Sequence, residues 1–140
     1  MNIRAIEHIG IAVRDLEKNQ SRWMNLFGAR SGPVEEIKER GVRLAQLRFS
    51  KGPVVELISP WGENSPLAKF LEERGEGIHH FCLEVDDIGA VMEHLKKEGL
   101  EFTTEKPIKG GNESRIVFVH PRSLNGVLME LREAKPSRRA

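Results

Sequence analysis

A single cysteine, Cys82, is all the thiol this chain of 140 residues carries. No intrachain disulfide can form, and a reducing compartment is the simpler expectation. Long apolar runs are missing too: none approaches the roughly 18 residues that a membrane span requires. An excess of one charge sign is also missing. Lys and Arg number 22 against 21 Asp and Glu, a formal net charge of +1, so no strong field points to nucleic acid or to a membrane surface. The one basic cluster is the closing KPSRRA, with Pro136 and Ser137 inside it. It reads as a solvated end rather than a binding arm. After the first apolar run, charge returns at Arg14 and Asp15, too soon for a secretory signal. The expected compartment is cytoplasmic.

What the chain does have is an ordinary globular composition, 39% apolar and 31% charged. That is enough apolar material for one domain with a real core. It also has an internal repeat. IEHIGIAVRDLEKNQSRWMNLF, residues 6–27, lies over IHHFCLEVDDIGAVMEHLKKEG, residues 78–99. Each copy opens with alternating apolar residues: Ile9, Ile11 and Val13, then Phe81, Leu83 and Val85. Period two predicts a half-buried strand. Each run reaches an aspartate, Asp15 or Asp87, placed to cap a helix N-terminus. Leu16, Trp23, Leu26 and Phe27 then mark one helical face, as do Ile88, Val91, Met92 and Leu95. Gly28 and Gly99 stand where left-handed C-caps are wanted.

Short strand-like runs follow each helix, at about 29–36, 42–49 and 54–59, and at about 101–104, 115–119 and 127–132. The last of each set match: VVELI at 54–58 against LMELR at 128–132. The chain therefore reads as a single domain over 1–140, with one βαβββ module at about 5–59 and a second at about 77–133. A linker segment at about 60–76 joins them, and a tail covers 134–140. The linker should hold a short helix from about Ser65 to Arg74, with Ser65 as cap and Pro66 at its first position. The expected class is α+β: two tandem βαβββ modules whose strands curl into a half-open, barrel-like sheet around a cavity, helices outside.

Strand parity then selects side chains. If Ile9, Ile11 and Val13 face the helix, His8, Gly10 and Ala12 face the cavity. If Phe81, Leu83 and Val85 face the helix, His80, Cys82 and Glu84 face the cavity and His79 does not. The repeat agrees, because His8 lies over His80 while Glu7 lies over His79. Glu56 and Glu130 hold matching places within otherwise apolar closing strands, where a carboxylate is costly unless paired or coordinated. The set His8, Glu56, His80 and Glu130 suits a divalent first-row metal, with water completing an octahedron. The plainer reading makes the glutamates edge-strand charges and His8 a hydrogen-bonded core histidine.

Other residues have plainer readings as well. Cys82 shares a face with His80, yet a small buried hydrophobe is the expectation. His120, in FVHP, ends a strand and either borders the cavity or bonds to backbone. His94 belongs on a solvated helix face. Gly110 and Gly111 form a loop that could offer N–H groups to an anion but more often only turns.

The pairing of IEHIGIAV with GEGIHHFCLEVDD, and of VELISP with HPRSLNGVLMEL, resembles the vicinal oxygen chelate superfamily, with its glyoxalase-like fold. Within it, SPLAKFLEERGEGIHHFCLEVDDI and FVHPRSLNGVLMEL are similar to the methylmalonyl-CoA epimerase family, over about Ile6 to Glu133. The resemblance implies a divalent ion on His8, Glu56, His80 and Glu130. Co2+ is the expected ion in vitro, with Mn2+, Ni2+, Zn2+ or Mg2+ as alternatives. It implies an acyl-CoA substrate, no nucleic acid or membrane partner, and a homodimer. It also implies an isomerase: removal of the proton α to a thioester and a carboxylate, then its return on the other face through a metal-stabilised enolate. Glu130 and Glu56 are the implied acid–base pair. One departure stands out. Some members carry a glutamate base at the position of Leu44, and the nearest polar residue of that parity, Gln46, is no base. Glu56, Glu84 or water is left to serve the second face. Lys106 and Lys109 are candidates for the CoA-binding rim.

Three alternatives share the scaffold. A glyoxalase I-type isomerase would use the same four ligands on a glutathione hemithioacetal. An extradiol dioxygenase would hold Fe(II) on His8, His80 and Glu130, but such ring-cleaving enzymes usually add a catalytic tyrosine, and this chain has none. A drug-sequestering binding protein would be non-catalytic; such members typically lack the inward ligands kept here.

Overall fold

In a computed structural model, residues 3–134 are described, and the KPSRRA segment lies outside them. The chain forms two compact units. One comprises residues 8–79; the other joins the described residues up to Glu7 to those from His80 onward.

The first unit begins within β1 (Ile3–Ala12) and continues through α1 (Leu16–Phe27), β2 (Arg30–Ser31), β3 (Glu35–Ile37), β4 (Val42–Arg48), β5 (Val54–Pro60) and α2 (Pro66–Arg74). Its strands lie in the order β2-β4-β5-β1, with β3 also paired to β4. β1 runs parallel to β5, and β4 antiparallel to β5. The alternation read in the sequence sorts side chains onto two faces. Ile11, Val13, Ala45, Leu47, Val55 and Leu57 pack with Leu16 and Trp23 of α1. Residues of the other parity, Ala12, Val42, Leu44 and Ile58, pack with Leu67 and Leu71 of α2. α2 thus seals one end of the face opposite α1.

Helix ends follow the expected chemistry. The Asp15 carboxylate accepts from the Lys18 N–H at 3.0 Å, and Ser65 Oγ accepts from the Leu67 N–H at 3.2 Å, with Pro66 at the first helical position. Gly28 closes α1 in the left-handed conformation, φ 67°, and donates to the Met24 carbonyl. That conformation penalises any residue with a Cβ. Arg43, on the α1 face of β4, donates to both Glu17 oxygens at 3.1 and 2.8 Å. This hydrogen bonding holds the Glu17 carboxyl below the usual carboxylate range.

The second unit contains His80 onward of β6 (Gly77–Val85), α3 (Ile88–Lys97), β7 (Ile108–Lys109), β8 (Arg115–Val119) and β9 (Met129–Glu133), with strand order β6-β9-β8-β7. β6 is parallel to β9, and β8 antiparallel to it. Asp87 caps α3 through the Ala90 N–H at 3.0 Å. Val85, Ile88, Val91, Met92, Val117, Val119 and Leu131 form the core between helix and sheet, with Leu83 and Leu95 against it.

Three expectations are corrected. Leu26 and Phe27 were expected on the buried face of α1, but they are 57% and 59% exposed. Leu26 lies about 80° around the helix from Leu16 at the α-helical pitch. Phe27 occupies the last helical residue and sets its ring edge-on to Trp23, centroids 5.3 Å apart. The strand expected at 101–104 is only an isolated bridge, Phe102 to Val119, and the ladder resumes at 108–109. Pro107 lacks the N–H a ladder needs, and Thr104 Oγ1 donates to the Lys106 carbonyl, turning the chain locally. In the same way 29–36 splits into β2 and β3 around Gly32 and Pro33.

Candidate metal centre

The two units carry the same arrangement at the same register. In the first, β1 places Gly10 beside Glu56 of β5, and β4 places Gln46 on the other side of Glu56. His8 stands two residues before Gly10, on the same face. In the second, β6 places Cys82 beside Glu130 of β9, and β8 places Phe118 on its other side. His80 stands two residues before Cys82. Each glutamate is therefore set diagonally from its histidine across a parallel strand pair.

The side chains meet accordingly. His8 Nε2 lies 3.6 Å from Glu56 Oε1, and His80 Nε2 lies 3.3 Å from Glu130 Oε1. All four residues are buried, with relative exposures of 2% and 8% in the first pair and 3% and 4% in the second. Carboxylates are rarely buried to this degree without a charged or coordinating partner. An imidazole nitrogen facing a carboxylate oxygen is the donor set that divalent first-row metals take. A solvated edge-strand role for Glu56 and Glu130 does not fit their burial.

The remaining candidates separate. His79 is half-buried and packs its ring edge-on against Phe70, centroids 4.8 Å apart; the helix it meets is α2, not the α3 that Leu83 and Val85 pack against. Cys82 is fully buried, its Sγ 3.8 Å from the Leu83 carbonyl, the expected small core residue. His120 caps a single 3-10 turn, its Nδ1 accepting from the Arg122 N–H at 3.2 Å. Its backbone alternative is the one observed. His94, Lys106 and Lys109 are exposed. Gly110 and Gly111 form a turn closed by the Ser114 carbonyl and hydroxyl, and a Cβ on Gly110 would lie 2.6 Å from Ser114 Oγ. Glycine is needed there for close approach. Glu84 pairs in register with Arg132, and Arg132 Nη1 is 3.4 Å from Glu7 Oε1. Leu44, at the position where a base was sought, is buried in the α2-facing cluster.

Two neighbours were not read as part of the site. Gln46 Nε2 is 3.5 Å from Glu56 Oε2, and Arg48 Nη2 donates to Gln46 Oε1 at 3.2 Å. Phe118 sets its ring at 86° to the His80 imidazole, centroids 6.1 Å apart. Parity shows that Gln46 and Glu56 share a face. Only the β4–β5 register makes them opposite partners, and a hairpin register is not fixed by composition.

Comparisons with known proteins agree with this architecture. The profile described as Glyoxalase/Bleomycin resistance protein/Dioxygenase superfamily matches residues 7–118. The mitochondrial methylmalonyl-CoA epimerase of Homo sapiens is 35% identical over 134 residues, spanning 95% of this chain and 76% of the relative. The crystal structure of methylmalonyl-CoA epimerase from Mycobacterium tuberculosis superposes with a TM-score of 0.92 at 33% identity, covering 96% of this chain and 90% of that one. A methylmalonyl-CoA epimerase in complex with methylmalonyl-CoA and NH4+ superposes with a TM-score of 0.90 at 31% identity, covering 95% and 96%. These relatives match along nearly the whole chain, and the chain belongs to the methylmalonyl-CoA epimerase family of the Glyoxalase/Bleomycin resistance protein/Dioxygenase superfamily.

Proposed function

We propose that this chain is a metal-dependent isomerase that interconverts the (R) and (S) forms of methylmalonyl-CoA or a close 2-alkylmalonyl-CoA. The observation that carries this reading is the repeated, buried His–Glu contact, at matching register in each unit. The epimerase relatives, one of them holding methylmalonyl-CoA, support the substrate class.

In this reading His8, Glu56, His80 and Glu130 together hold one divalent ion, Co2+ in vitro. The ion supplies Lewis-acid stabilisation of the negative charge that develops on the substrate oxygens as the α-proton leaves. The rest is the work of the chain. Glu130 and Glu56, one from each module, are the carboxylates that accept the proton from one face of the α-carbon and return one to the other. Leu44 takes no part in that transfer. Gln46 and Phe118 border the two glutamates and help exclude water from them. We read the working form as a cytoplasmic homodimer. The lone cysteine fits a reducing compartment, and the exposed Leu26 and Phe27 give α1 an apolar surface that a second copy would cover.

The test is exchange of the C2 proton of methylmalonyl-CoA in D2O, followed by NMR. Co2+-loaded protein should exchange it catalytically, and chelator should remove the activity, which Co2+ then restores. Absence of exchange by the loaded protein, with turnover of methylglyoxal and glutathione instead, would replace this reading by the glyoxalase I type.

A further inference from the structure

The two halves of the candidate centre match in ligands but not in what borders them. Gln46 and Phe118 hold equivalent places, each opposite a glutamate across an antiparallel pair. On the first half each carboxylate oxygen has a nitrogen facing it. Glu56 Oε1 faces His8 Nε2 at 3.6 Å, while Oε2 faces Gln46 Nε2 at 3.5 Å. The sense of the Gln46 amide is fixed by chemistry rather than assumed. Arg48 reaches its other end at 3.2 Å, and a guanidinium only donates. The amide oxygen must therefore face Arg48, and the amide N–H2 must face Glu56. On the second half the equivalent residue is a phenyl ring lying edge-on to His80. It cannot donate to Glu130.

We infer that Gln46 is a positioning residue: it binds one oxygen of Glu56 so that the other, Oε1, is presented beside His8 as a single-oxygen ligand, and Arg48 sets the amide that does so. The centre is then built asymmetrically on a symmetric frame. Glu56 is anchored by an amide relay, whereas the residue matching Gln46 on β8 is Phe118, whose phenyl ring carries no N–H or O–H. This rests on the metal reading above.

The test is Co2+ binding by the full-length chain, read by calorimetry and by the visible absorption of the bound ion. Gln46→Met keeps the side chain's length and removes its donor. It should weaken Co2+ about 10-fold or more, the range for loss of an outer partner of a metal ligand, and shift the Co2+ absorption bands. Arg48→Met, at an exposed position, should weaken binding by a smaller factor. The double variant should be no weaker than Gln46→Met alone, because Arg48 acts through the amide. An unchanged spectrum with affinity within twofold of wild type in Gln46→Met would overturn the inference. Losses that add in full would overturn the part assigned to Arg48. If Gln46→Met does not fold, Arg48→Met carries the test, and no change in its Co2+ affinity is then the contrary result. Failure of the wild-type chain to bind Co2+ at all would instead remove the metal reading, and this inference with it.

Discussion

His80→Ala should lower kcat/KM for epimerisation by about a thousandfold or more, while His79→Ala, one residue away, should stay within about threefold of wild type. The contrast follows from strand geometry. His80 is buried with its Nε2 3.3 Å from Glu130; His79 is less buried and sets its ring against Phe70. Losing an ion that stabilises developing charge removes several kcal/mol from the transition state, and each 1.36 kcal/mol is a factor of ten. Losing the His79 ring contact removes an aromatic pair worth about 0.5–1.5 kcal/mol of stability, which does not enter the chemical step. Steady-state kinetics on both variants, with circular dichroism to confirm folding, decides it. Equal losses in the two would contradict the assignment.

Leu44→Ala should destabilise the fold by about 2–5 kcal/mol and leave a correctly folded fraction still able to bind metal. Leu44 is 5% exposed and packs with Ala12, Ile58, Leu67 and Leu71. It ties β1, β4 and β5 to α2, so truncation removes transfer energy and leaves a cavity between helix and sheet. Urea unfolding of wild type and variant measures the cost. A change under 1 kcal/mol, or loss of Co2+ binding by fully folded protein, would show that Leu44 belongs to the centre rather than to the packing beside it. The distinction matters because Leu44 shares its strand face with Gln46 and lies beside Ile58 in the register that sets Gln46 beside Glu56.

Much of this was legible in the residues because the chain says the same thing twice. The caps at Asp15, Ser65 and Asp87 need only local chemistry, and each is formed. The burial of His80 needed only parity plus the matching His8 in the first copy; its choice over His79 as a metal ligand is part of the proposal. Elements that depend on a neighbouring strand were less legible. Residues 101–104 have strand-like composition, yet they make one bridge because Pro107 and the Thr104 turn interrupt the edge. Leu26 and Phe27 are apolar and near the helical stripe, but Leu26 lies too far around α1 and Phe27 comes too late in it to be covered. Gln46 was visible as polar and of the right parity. Its contact with Glu56, and the Arg48 that orients it, appear only once the β4–β5 register is known.

The central proposal is that one ion is held jointly by His8, Glu56, His80 and Glu130. Its most direct test is the Co2+ content, after equilibrium dialysis, of wild type, His8→Ala and His80→Ala. About one Co2+ per chain is expected for wild type, and about a tenth of that or less for either variant, since a His–Glu pair alone supplies only half of the ligands. Two ions per wild-type chain, or an ion retained when one histidine is gone, would mean that each module binds separately and would contradict the shared centre.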